Sequence, residues 1–103
     1  MIGRSTDTSN THLVELVRLY GPPGTQQIVK PNRLVSFILV SVRQGAVDIY
    51  VGGGAVAGLV PDLHFGQSGR PIEVPIPCGQ YEFTIVAAGP RNPVKASVLF
   101  GGP

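Results

Sequence analysis

Residues 34–51 read LVSFILVSVRQGAVDIYV, and this stretch decides the fold. Its first half, Leu34–Val42, is dominated by β-branched and aromatic residues and fits a strand buried at the centre of a sheet. Gln44-Gly45 then turns the chain into Ala46–Val51, where Val47, Ile49 and Val51 alternate with Asp48 and Tyr50. A period of two is the signature of a strand with one apolar face, so the pair is expected to form a β-hairpin.

Working outward, glycine and proline cut the rest into similar runs. His12–Tyr20 fits a helical stripe through Leu13, Leu16, Val17 and Tyr20, and also a strand in which Leu13, Glu15, Val17 and Leu19 alternate with Val14, Leu16, Arg18 and Tyr20. The β-character of everything downstream favours the strand. Gly21-Pro22-Pro23-Gly24 is a turn, because proline presets φ and glycine supplies positive φ. Gln26–Lys30 is a short strand stopped by Pro31-Asn32, Gly52–Gly54 is a corner, and Ala55–Val60 is a weak strand before Pro61. Leu63–Phe65 is short, and Gly66–Gly69 is a loop. Ile72–Ile76 contains Pro75 and therefore belongs at a sheet edge. Pro77-Cys78-Gly79 turns into Gln80–Ala88, which carries Tyr81, Phe83, Ile85 and Ala87 on one face. After a turn at Gly89–Pro93, Val94–Phe100 closes the fold. Seven or eight strands at this spacing predict an all-β protein, an antiparallel β-sandwich that is jelly-roll-like. Residues 12–103 are expected to form one domain, preceded by Met1–Thr11 as an extended polar N-terminal arm.

Only 14% of the 103 residues are charged. A soluble domain usually carries about 25%, so much of the exterior is expected to be covered by other protein. The eight basic residues are scattered and never adjacent, and the net charge is +2. Nucleic-acid binding depends on a clustered cationic footprint, and the linear sequence has none. The single cysteine, Cys78, excludes an internal disulfide and reads as a small buried residue at a turn. The start lacks the charged and apolar regions of a secretory signal. Leu34–Val42 is too short to span a bilayer, which takes about 20 helical residues. No membrane association is expected, and synthesis is expected in a cytoplasm.

Candidate chemistry is sparse. Cys78, His64 and Asp62 include the residue types of a nucleophile, base and orienter, but nothing in their spacing shows that they converge, and no enzyme activity is predicted. Gly52–Gly58 superficially resembles a phosphate loop, yet Pro61 arrives too soon for the helix such a loop needs. His12 and His64 lie far apart, with one cysteine and no clustered carboxylates, so neither a metal site nor a cofactor is expected. Sugar binding would present aromatic platforms, but there is no tryptophan, and Tyr20, Tyr50 and Tyr81 sit in strand patterns that packing explains.

Ile28–Gly54, followed by Leu63–Ala88, resembles the small jelly-roll and sandwich modules of tailed-phage virions. The matching segments are Pro31-Asn32-Arg33, the apolar strand Leu34–Val42, Asp48-Ile49-Tyr50-Val51-Gly52, the loop Leu63–Gly69, and Tyr81–Ala88. The resemblance covers roughly two-thirds of the chain and implies a structural virion protein. A capsid decoration (cement) protein, commonly trimeric, is the first expectation. A head-fibre, neck or tail component is the alternative, including a receptor- or glycan-binding module at a tail or fibre tip. Implied partners are other copies of the chain, as a homotrimer, and the major capsid protein or other virion proteins. The implied location is the virion.

Charge depletion is a property of interfaces between subunits, which agrees with that role. Leu13, Val17, Leu34, Phe37 and Leu39 are the expected self-contacts, and the arm, through Arg4 and Asp7, the expected contact to the shell. A small-ligand or catalytic β-domain with a pocket around His64 or Cys78 is the remaining rival.

Overall fold

The computed structural model describes residues 12–52 and 56–103. The N-terminal arm, with Arg4 and Asp7, lies outside the described residues. Among the described residues eight strands follow one another without a helix: β1 His12–Gly21, β2 Gln26–Val29, β3 Val35–Gln44, β4 Ala46–Val51, β5 Leu63–Phe65, β6 Ile72–Gly79, β7 Phe83–Ala88 and β8 Val94–Gly102. The ambiguous first segment is a strand, and β6, with its prolines, does lie at an edge.

The strands form two four-stranded antiparallel sheets, in the orders β1-β8-β3-β6 and β2-β7-β4-β5. The pairings β1·β8, β2·β7, β3·β6 and β4·β5 are those of one long hairpin, β1–β4 running out and β5–β8 running back. Rolling that hairpin adds β3·β8 and β4·β7 and closes a jelly-roll sandwich.

Four expectations are overturned. β3 and β4 do not form a hairpin: β3 pairs with β8 and β6, whereas β4 pairs with β7 and β5 in the opposite sheet. Gly45, at φ +85°, is the single residue between them and turns the chain across the sandwich. Period-two alternation reports which side of a strand is apolar, not which strand lies beside it. Residues 56–60 also form no strand, and Ala57-Gly58 is a turn. Pro77–Gly79 continues β6 instead of turning, and Cys78 is exposed rather than buried.

Alternation places one side of every strand in the core. Ile38, Val40 and Val42 from β3 and Val94, Val98 and Phe100 from β8 face Val47 and Ile49 of β4 and Phe83 and Ile85 of β7. Each such side chain contributes about 1.5–3 kcal/mol on burial. Phe83 and Phe100 meet across the two sheets with ring centroids 4.5 Å apart. The β4–β5 connection is tied back by Asp62. Its N–H donates to the Ile49 carbonyl at 3.0 Å, and its Oδ2 accepts from the Val51 N–H at 2.7 Å.

Candidate functional site

The outer face of the first sheet carries the features that the core does not use. Register sets Leu16 of β1, Leu99 of β8 and Leu39 of β3 directly opposite one another, a leucine row across three strands. Glu73 of β6 stands at its end, opposite Leu39. In the neighbouring row, Leu13 and Phe37 flank Gly101, and the Phe37 ring lies against the glycine where a side chain would otherwise stand. Leu16 is 44% and Leu13 59% exposed, while Phe37, Leu39 and Leu99 are half-buried by their neighbours. Side chains of this type normally point into a core, yet nothing in the described residues covers this row.

Toward the other end of the same face the chemistry changes. Arg18, Ser97 and Ser41 form the row next to the leucines, and Tyr20 stands opposite Lys95 in the row after it. β3 has a bulge here: Val42 pairs with Ala96 and Gln44 with Lys95, leaving Arg43 as the extra residue. A bulge bends its strand and re-aims the side chain it carries. Gln44 Nε2 donates to the Pro93 carbonyl at 2.6 Å and anchors the bulge to the β7–β8 turn. Arg18, Tyr20, Ser41, Arg43, Lys95 and Ser97 line an open depression of about 750 Å³ with no carboxylate in its lining. Among the described residues no acidic group stands within ion-pair distance of the three cations. Tyr20 is 70% exposed, so its place in a strand pattern did not imply packing. Cations far apart in sequence are gathered here by strand pairing, which linear spacing could not reveal.

The second sheet offers less. His64 Nδ1 and Asp48 Oδ1 lie 2.5 Å apart on its outer face, as register neighbours on β5 and β4. Thr84, between Ile28 and Tyr50 in register, is buried. The candidate constellation Cys78–His64–Asp62 is not assembled. His64 is engaged with Asp48, Asp62 with the Val51 N–H, and Cys78 sits on β6 of the other sheet. Among the described residues no three His, Cys, Asp or Glu side chains are grouped as metal ligands would be.

The expected partner contacts divide accordingly. Leu13, Phe37 and Leu39 come together on the open face of the first sheet. Leu34 is exposed just before β3, with its carbonyl beside Gly102, and belongs to none of the paired rows. Val17, at 4% exposure, is committed to the core and presents no surface to a neighbour. Leu16 and Leu99 complete the leucine row, and the linear sequence does not distinguish them from core leucines. No protein-family model and no curated protein matches this chain.

Proposed function

We propose that this chain is a structural assembly subunit, of the kind that decorates a phage capsid, and that copies associate through the open face of the first sheet. The observation that carries this reading is the leucine row Leu16–Leu99–Leu39, continued by Leu13 and Phe37. An apolar patch on a solvent-facing sheet marks a protein contact. Edge-to-centre continuity across β1, β8 and β3 gives an unbroken apolar row that a second copy can match. The resemblance of Ile28–Gly54 and Leu63–Ala88 to virion modules supplies the particle. A protein that binds only an assembled lattice stabilises it by mass action, and symmetric copies turn modest contacts into high avidity.

The test has two parts. Sedimentation of the purified chain at micromolar concentration is expected to give an oligomer, and the paired substitution Leu16→Glu with Leu99→Glu is expected to give a folded monomer. Imaging of purified particles is then expected to place the protein on the shell. A wild-type monomer at these concentrations would sink the self-association. An ordered position on a neck or tail, with none on the shell, would exchange decoration for a fibre or tail role.

A further inference from the structure

The basic depression at the Tyr20 end of the first sheet is independent of the leucine row and has its own chemistry. Neighbouring strands are about 4.8 Å apart and alternate residues along a strand about 7 Å apart. The rows Arg18–Ser97–Ser41 and Tyr20–Lys95 therefore cover about 10 by 7 Å, the footprint of one or two sugar rings. Its donors are all cations or hydroxyls: two guanidinium groups, one ammonium and two serines. A guanidinium reads a planar or tetrahedral oxyanion with two parallel hydrogen bonds, which a lone lysine cannot do. Beside them stands a phenol ring with most of its surface in water, able to lie under the apolar face of a sugar.

The geometry points to a binding site for an acidic saccharide, one bearing sulfate or carboxylate groups. Arg18 and Arg43 take the anionic groups, Lys95 adds charge from the middle strand, Ser41 and Ser97 meet ring hydroxyls, and Tyr20 is the platform. An acidic peptide is the less suitable occupant. The polar lining is two serines and three cations beside one aromatic ring, which matches ring hydroxyls and anionic groups more closely than a peptide's backbone and mixed side chains. A nucleic acid is less suitable again, since three cations with a single aromatic ring make a small footprint for a polyphosphate backbone. The site shares no side chain with the leucine row, although it lies in the adjoining rows of the same face.

The experiment titrates the intact chain with a sulfated hexasaccharide, a sialylated trisaccharide, a neutral hexasaccharide, a glutamate-rich peptide and a short DNA duplex. The expected result is binding of one or both acidic sugars. Replacing Arg18, Arg43 and Lys95 together with glutamine should weaken it at least about tenfold, since a hydrogen bond to a charged group is worth about as much as that ratio. Tyr20→Ala should weaken it at low and high salt alike, because the ring's contribution is not ionic. All four side chains are exposed, and circular dichroism with a melting curve confirms that each variant is folded. Absence of binding at millimolar sugar overturns the inference, as does equal binding of the neutral sugar. Tighter binding of the peptide or the duplex, or an unchanged triple variant, overturns it too. Sedimentation of the triple variant is expected to match wild type, which separates this site from the assembly surface.

Discussion

Gly45 stands where the chain leaves one sheet for the other, and its backbone has φ +85°. A side chain there would be strained by the left-handed conformation and would also meet Val94 Cγ2 at 2.8 Å. Gly45→Ala is therefore expected to lower stability by about 1–3 kcal/mol. The denaturant midpoint should fall with an unchanged slope, and a midpoint equal to wild type would show that the corner tolerates a Cβ. Thr84 presents the opposite case. Its hydroxyl is buried and finds no hydrogen-bond partner among the described residues, and an unsatisfied buried group costs about 1–3 kcal/mol. Thr84→Val keeps the shape and removes the orphan, so its melting temperature is expected to rise. A fall would mean that the hydroxyl is satisfied by a contact the described residues do not provide. The sequence announced Gly45 as a turn but carried no signal for Thr84, because a threonine in a strand looks the same whether its outer side is wet or covered.

At the scale of elements, β1 shows what alternation can and cannot tell. Val17 and Leu16 are adjacent and both apolar, yet one is sealed in the core and the other half open to solvent. Val17→Ser is expected to cost about 2 kcal/mol or more from lost burial, seen as a lower melting temperature. Leu16→Ser should leave melting of the monomer nearly unchanged and reduce self-association by sedimentation. If the two substitutions exchanged these effects, the assigned faces of β1 would be reversed. The strand itself was legible, as was the edge position of β6 from Pro75. Pairing was not legible. The segments 34–42 and 46–51 have the same period whether they lie side by side or face each other across the core, and only the capture of β3 by β6 and β8 decides between them. Strand edges carry their hydrogen-bonding groups on the backbone, so partner choice leaves little trace in side-chain pattern. Both candidate surfaces share this limit. The leucine row and the cationic depression each draw on β1, β3 and β8, elements separated by most of the chain.

For the whole molecule, the two halves of the first sheet's outer face should respond to salt in opposite ways. Apolar association is not screened, and excluded salts such as sulfate strengthen it. Attraction between exposed cations and an anionic ligand is screened beyond a Debye length of about 8 Å at 0.15 M and about 3 Å at 1 M. Arg18, Arg43 and Lys95 also repel one another in a region without carboxylates, so added salt relaxes the free protein as it weakens the ligand's hold. Self-association measured by sedimentation is accordingly expected to hold or rise as sodium sulfate is added. Acidic-saccharide affinity measured with chloride as the added salt, which avoids a competing oxyanion, is expected to fall steadily. Oligomers that dissociate as salt rises would show that the contact between copies is ionic, and the leucine row would lose its role. Affinity for the sugar that ignores salt would take the three cations out of the binding site and leave the Tyr20 ring as its main contact. A chain with so few charges keeps three of its eight basic residues on one small area of one sheet, and that concentration is why the two surfaces can be told apart by ionic strength alone.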